Sequence, residues 1–205
     1  AGITTLCLPP DTQPVIDTPA VAELIKELAK KNGYPNILPV AALTQRLEGA
    51  ELSNMLSLKQ AGCCAVSNAN RPIKNLLTLR RAMEYAASHD LLLIYRPNDP
   101  WLSQNGCLHE GKLSTRYGLP SIPDAAETIA LMQCLELVEL TGCRVHFSQL
   151  SSARSMAKLR QAKSAGLPVS ADAAAHQLHL TEDDIRPFDS AYHVQPPLRT
   201  RADRD

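Results

Sequence analysis

What the sequence lacks is any imbalance of charge. Lys and Arg together count 21 and Asp and Glu also 21, so the formal net charge is zero. Nucleic-acid and anionic-membrane binders carry a basic footprint, and neither partner is expected here. Long apolar runs are missing too, so no stretch reads as a membrane-spanning helix. No G-x-G-x-x-G follows a strand-like run, which disfavours a dinucleotide-binding sheet, and no Gly-x-Ser-x-Gly elbow supports a serine hydrolase. The six cysteines, Cys7, Cys63, Cys64, Cys107, Cys134 and Cys143, lack the paired C-x-x-C spacing of a zinc site. Cys7, Cys63, Cys64 and Cys143 lie in or beside apolar runs and are expected to be small buried thiols rather than disulfides or ligands. With no secretory leader ahead of Ala1, a reducing, cytoplasmic setting is expected.

What is present is a repeated alternation of two patterns. Apolar, β-branched runs predict strands over residues 3–8, 36–43, 63–67, 91–95, 145–150 and 168–173. Helical patterns fall in the intervals. One is capped at Asp17 or Thr18 with Pro19 in its first turn and runs to about Lys31. Another covers 51–61 and ends at Gly62. A third covers 75–88, with an apolar face at Leu76, Leu79, Met83, Ala86 and Ala87. The longest, over 124–140, is apolar at Ile129, Met132, Leu135 and Val138. The last covers 152–165 and ends at Gly166. Thr181 opens a short helix with its T-x-D-D start, and residues 97–123 form an irregular stretch long enough to suggest function.

Near-continuous apolar strands separated by helices are the pattern of a parallel sheet with its outer face covered. Six strand–helix units suit either a doubly wound sheet or part of an eight-stranded barrel. The turns after the strands are not Gly-rich, so the barrel is preferred, as a single α/β domain over 1–205. The sequence opens almost inside a strand and closes on the charged RTRADRD, so a piece of a longer chain is expected.

Some motifs mislead. Residues 106–113 read GCLHEGKL, one position short of a phosphate-binding P-loop. Leu113 stands where Ser or Thr must hold Mg²⁺, and Glu110 would repel phosphate. His176 and His179 are three apart, yet nothing acidic or cysteinyl converges on them, so hydrogen-bonded histidines are expected rather than a metal pair. His89 and His109 read as surface groups. The stretch RVHFSQLSS (144–152) is of another kind. It predicts a buried strand with a helix cap at Ser151 or Ser152, and it carries one polar side chain, Gln149, near the strand's C-terminal end. That end is where strand–helix folds place their chemistry.

Four stretches carry a resemblance: LPPDTQPVIDTPAVAELI (8–25), EGKLSTRYGLPSIPDAAE (110–127), RVHFSQLSS (144–152) and LHLTEDDIRPFDSAYHVQPPLR (178–199). Together they make the chain resemble, nearly end to end, the interior of the bacterial dihydroorotase family of the amidohydrolase superfamily. The resemblance implies a (β/α)8 TIM barrel of the metallo-dependent hydrolase type, incomplete here, with the first and last barrel strands absent. It implies zinc at the C-terminal strand ends, and reversible ring closure of carbamoyl aspartate to dihydroorotate in pyrimidine synthesis.

Carried over residue by residue, the family's site is depleted. Its first-strand His-x-His pair and carboxylate-binding Arg precede this sequence, and its last-strand Asp follows it. The substrate-holding Asn of its Met-Pro-Asn corresponds to Pro10. The bridging carboxylate or carboxylated Lys is expected near Ser67-Asn68-Ala69-Asn70, none of which is acidic or Lys. The fifth-strand histidine falls at Tyr95 or Arg96, and the sixth-strand histidine falls on Gln149. The Asn before Pro-Pro-Leu-Arg is Gln195, and His176 matches the first of a His-His pair whose second member is Gln177.

Zn²⁺ prefers imidazole, thiolate or carboxylate, and a neutral amide is a poor ligand. Without the ion no bound water is acidified toward pKa ~7. The resemblance is thus to the family's degenerate, non-catalytic members. Loss of zinc is expected, with Pro10, Asn68, Tyr95, Arg96, Gln149, His176 and Gln195 left as pocket remnants. A structural role beside aspartate carbamoyltransferase is expected, with self-association a further option. The competing expectations are an active zinc amidohydrolase using His146, His176 and His179, and a small-molecule binding module in the old pocket.

Overall fold

The computed structural model describes residues 2–205. They form two compact units, one made of the chain up to Tyr95 together with Leu137–His146, the other of Arg96–Glu136 together with Phe147–Asp205.

The first unit is a run of strand–helix repeats. Its elements are β1 (Thr5–Leu8), α1 (Pro19–Lys31), β2 (Asn36–Ala42), α2 (Met55–Gln60), β3 (Ala65–Ser67), α3 (Leu76–Ser88) and β4 (Leu92–Tyr95). The strands pair in parallel in chain order, with Cys7 opposite Leu38, Val40 opposite Ala65 and Val66 opposite Leu93. Parallel neighbours require a crossover, and the helices supply it. The strands contribute Val40, Ala41 and Ala42 of β2, Ala65 and Val66 of β3, and Leu93 of β4 to the core, and helix residues such as Ala22, Met55, Leu58 and Met83 complete it.

Burial at β1 departs from expectation. Its run begins at Thr5 rather than at residue 3, and it is largely exposed, with Leu6 at 43%. Among the described residues it stands first in the strand order and pairs only with β2, so its apolar residues lack a second strand beside them. Cys7 of β1 is accordingly exposed, and Cys64, just before β3, is exposed against expectation too, whereas Cys63 and Cys143 are buried as expected. The α2 helix is shorter than its pattern predicts, because Leu52 forms an antiparallel bridge with Thr44 and helix begins only at Met55. In α3, Leu79, Met83 and Ala86 are buried as the periodicity predicts, but Leu76 in its first turn is exposed.

In the second unit, residues 97–123 are less irregular than expected. They contain β5 (Leu108–His109), α4 (Lys112–Tyr117) and β6 (Ser121–Ile122), with β5 and β6 paired in parallel. The Ser114-Thr115-Arg116 stretch is therefore helix rather than loop, closed by Gly118 at φ +64°. Gly106 admits no side chain, since a Cβ there would lie 2.2 Å from Ile122 Cγ1. Next along the chain come α5 (Asp124–Thr141) and β7 (Val145–Phe147), whose residues within 137–146 belong to the first unit, and then α6 (Ala153–Ser164), β8 (Val169–Ala171) and α7 (Arg201–Arg204). The buried face of α5 is Ala126, Ala130, Leu131, Cys134 and Val138, while Ile129 and Met132, expected in the core, are about two-fifths exposed. Apolar residues surround this helix, so periodicity could not select a face.

β7 stops at Phe147, three residues short of its expected end, and Gln149 adopts φ +59°. The Asp172 N–H donates to the Phe147 carbonyl and the Leu150 N–H to the Asp172 carbonyl, joining this segment to β8. The strand order is β1-β2-β3-β4-β7-β8. This is an α/β fold with the sequential sheet of an incomplete β/α barrel. Among the described residues no helix is long and apolar enough to cross a membrane.

Candidate functional site

Three of the expected site residues belong to the first unit, each at a strand's C-terminal end. Pro10 is buried just past β1 and accepts the Ile16 N–H through its carbonyl. Asn68 follows β3 and is 6% exposed. Its Oδ1 accepts from Thr44 Oγ1 at 2.6 Å and its Nδ2 donates to the Arg71 carbonyl at 3.0 Å. The carboxamide thus staples its own turn, with both of its ends engaged by protein. Tyr95 closes β4.

Three others meet in the second unit. Arg96, Gln149 and Gln195 line one small cleft of about 10 Å³, room for about one water molecule, together with Asn98, Ile122, Glu127, Pro196, Pro197 and Arg199. Gln149 reaches it because the chain leaves β7 at Phe147 and turns through a left-handed residue. The Gln149 N–H is anchored on Asp172 Oδ1 at 2.8 Å. The Gln195 turn, whose peptide bond to Pro196 is cis, is held from behind. Gln177 Nε2 donates to the Pro196 and Pro197 carbonyls at 3.1 and 3.2 Å. His176 is not among the cleft residues. It lies in the short turn Ala175–Leu178, and its buried Nε2 has no hydrogen-bond partner, contrary to the expected bonded histidine.

The floor of this cleft is a buried charge network that the sequence reading missed. Glu127, in the first turn of α5, is 2% exposed. Its carboxylate accepts from the Ser151 N–H, the Ser152 N–H at 3.1 Å and the Ser151 hydroxyl. Arg199, 3% exposed, donates through Nε to Ser151 Oγ at 3.0 Å and through Nη1 to the Ile122 carbonyl at 3.3 Å. Its Nη2 lies 3.9 Å from Glu127. Burial draws the Arg199 guanidinium below its usual range, opposed by Glu127, Asp203 and Asp124. Arg96 is drawn down in the same way, with Glu127 opposing.

His109, expected at the surface, belongs to this network, with Nδ1 3.0 Å from Arg199 Nη1. Arginine has no acceptor, so His109 Nδ1 accepts and its proton sits on Nε2. Burial, then the Arg199 charge, holds this imidazole below its usual range, against the pull of Glu182, Asp203 and Asp124. The signal was present in the quoted stretches. Glu127 ends DAAE and Arg199 ends PPLR, and both sit where a charged residue reads as a surface group.

The donor set decides what this cleft can hold. Its one carboxylate, Glu127, is engaged by protein donors, and its other polar groups are guanidinium and carboxamide. Among the described residues no three His, Cys, Asp or Glu side chains converge on a point. These donors do not fit a zinc ion. They suit neutral or anionic hydrogen-bonding partners.

The dihydro-orotase-like family model matches residues 1–155. A dihydroorotase-like protein of Pseudomonas putida is 49% identical over 204 residues, covering 100% of this chain and 48% of that protein. A dihydroorotase of Syntrophobacter fumaroxidans is 43% identical over 202 residues, covering 98% of this chain and 46% of that protein. Among solved structures, the L-hydantoinase (dihydropyrimidinase) of Arthrobacter aurescens superposes with a TM-score of 0.81 over 99% of this chain and 46% of its own, at 19% identity. That likeness is one of fold. The chain spans about half the length of the curated relatives it matches. With the family model covering well over half of its residues, the chain belongs to the dihydroorotase family of the amidohydrolase superfamily.

Proposed function

We propose that the protein is a non-catalytic dihydroorotase-like component of pyrimidine biosynthesis, acting as a structural partner of aspartate carbamoyltransferase. The observation that carries this reading is Gln149. It stands where the family resemblance places a zinc-binding histidine, in a cleft whose single carboxylate is held by Ser151 and Ser152. A carboxamide neither binds zinc well nor lets a metal acidify water, so the cleft keeps its outline without the means of hydrolysis. The transferase partnership follows from the resemblance to the family's degenerate members, and it gives such an outline a use. A shifted ligand set on His146, His176 and His179 is the second reading, and nothing among the described residues favours it, since no three His, Cys, Asp or Glu side chains there converge on a point.

The test uses the full-length polypeptide from its natural source. Metal analysis is expected to find less than one zinc per chain, dihydroorotate turnover is expected to be at background, and aspartate carbamoyltransferase is expected to co-purify. Stoichiometric zinc with turnover would establish the second reading instead. A transferase that assembles and works fully in the absence of this protein would remove the partner role.

A further inference from the structure

The His109–Arg199 contact has an unusual chemical requirement. A guanidinium only donates, so the contact exists only while the imidazole is neutral and its Nδ1 lone pair is free. On protonation both ring nitrogens become donors, and Nδ1–H faces Arg199 Nη1 at 3.0 Å, donor against donor and charge against charge. A second observation shows where the protonated ring would turn. Glu182 Oε2 is buried without a hydrogen-bond partner. Glu182 Oε2 and the other edge of the ring also flank one small space beside Gly111. A Cβ placed on Gly111 would be 3.7 Å from Glu182 Oε2 and 3.9 Å from His109 Cδ2, the carbon bonded to Nε2. One side of His109 thus holds a donor that tolerates only the neutral ring, and the other offers an acceptor whose capacity is unused.

We propose that His109 is a proton-operated latch, which holds Arg199 when neutral and exchanges it for Glu182 when protonated. What the latch controls follows from the elements it joins. His109 ends β5, which pairs with β6 through Ile122. Arg199 also grips the Ile122 carbonyl, and both Ile122 and Arg199 line the cleft. Release of Nη1 from His109 therefore loosens the β5–β6 side of the cleft, while Ser151 keeps the Nε side in place. Asp203 and Asp124 also face His109, and with Glu182 they favour its protonated form, whereas burial and Arg199 favour the neutral one. The second set prevails, so the folded-state value lies below the usual 6.5. The latch is then fully closed above the unfolded-chain value near 6.5, and its contribution to stability is lost as pH falls through the folded value. This holds whether or not zinc is bound elsewhere in the complete protein.

The experiment is histidine-selective ¹⁵N and ¹³C NMR of the full chain, titrated over about pH 4 to 8, with amide exchange followed at Glu110, whose N–H is bonded to the Ile122 carbonyl. The neutral ring is expected to be the Nε2–H tautomer and its midpoint to lie below 6.5. Exchange protection at Glu110 is expected to fall through the same midpoint. Glu182→Gln, which weakens the alternative acceptor, is expected to move the midpoint further down. An Nδ1–H tautomer, a midpoint at or above 6.5, or protection indifferent to the titration would each overturn the latch. An unmoved midpoint in Glu182→Gln would overturn Glu182 as the exchange partner. Should that variant fail to fold, the wild-type tautomer and titration still decide.

Discussion

Two helix starts, one in each unit, solve the same problem by opposite means. Every helix begins with backbone N–H groups that have no partner within it. In the first unit, α3 takes its cap from its own sequence, with Asn75 Oδ1 accepting the Thr78 N–H at 2.9 Å. In the second, α6 follows Ser152, the residue type most expected to cap, yet the Ser152 hydroxyl is buried and unpartnered. The Ser151 and Ser152 N–H groups are satisfied instead by Glu127, a residue of α5. A local cap stabilises one helix. A borrowed cap ties that helix start to a second helix and, through Arg199, to the segment bearing Gln195. It also fixes the loop that carries Gln149.

Removing the borrowed cap is expected to have the largest effect. Glu127→Ala leaves two buried N–H groups and the Ser151 hydroxyl without their acceptor and deprives the buried Arg199 of its nearest counter-charge. Breaking a buried ion pair from one side costs on the order of 3–5 kcal/mol, and a loss in that range is expected in denaturant unfolding. A loss below about 1 kcal/mol would mean that the cap is supplied by some other group. The double variant Glu127→Gln with Arg199→Met tests the same network from both sides. It is expected to be milder than Glu127→Ala, because it leaves no unpaired charge buried.

The local cap sets the next scale. Asn75→Ala removes one acceptor from an exposed helix start and is expected to cost about 1 kcal/mol, while Asn75→Ser or Asn75→Asp restores most of it. Failure of the serine variant to recover stability would show that Asn75 acts by something other than capping. The Asn75 cap has no bearing on Glu127, so the two losses are expected to add.

The same contrast explains what could be read from the sequence. Strands β2, β3 and β4 were legible because their burial makes them continuous apolar runs, and α3 was legible because most of its apolar face recurs at helical spacing within one short stretch, although its Asn75 cap was not read. The gathering of Arg96, Gln149 and Gln195 was accessible only through family resemblance, since each follows a different strand or turn. Exposure of β1, with Cys7, was hidden because an apolar run does not reveal whether a strand has one neighbour or two. The face of α5 was hidden because it is apolar nearly all round. Glu127, Arg199 and His109 were hidden for a further reason. Their partners are remote in sequence, 24 residues for Glu127 with Ser151 and 90 for Arg199 with His109. A charge near a helix N-terminus or after a proline pair has a ready local explanation that conceals the remote one. His176 adds the reverse error, a histidine assumed to be bonded whose Nε2 is not.

The smallest effect isolates burial as the cause of the largest. Arg154 of α6 bonds both carboxylate oxygens of Asp124, each at 3.1 Å, so it joins the same two helices that Glu127 joins. Its side chain is 64% exposed, however, and that of Asp124 is 29% exposed. Exposed pairs of this kind contribute roughly 0.2–1 kcal/mol and weaken as salt screens them. Arg154→Ala is therefore expected to cost a few tenths of a kcal/mol, and the difference from wild type is expected to shrink in high salt. The Glu127→Ala loss should remain under the same conditions, because a carboxylate out of contact with solvent is screened little. If Arg154→Ala destabilised as much as Glu127→Ala, the connection between α5 and α6 would matter wherever it is made. A tenfold or larger gap in the unfolding constants of the two variants, widened by salt, would place the stabilisation in the buried carboxylate itself.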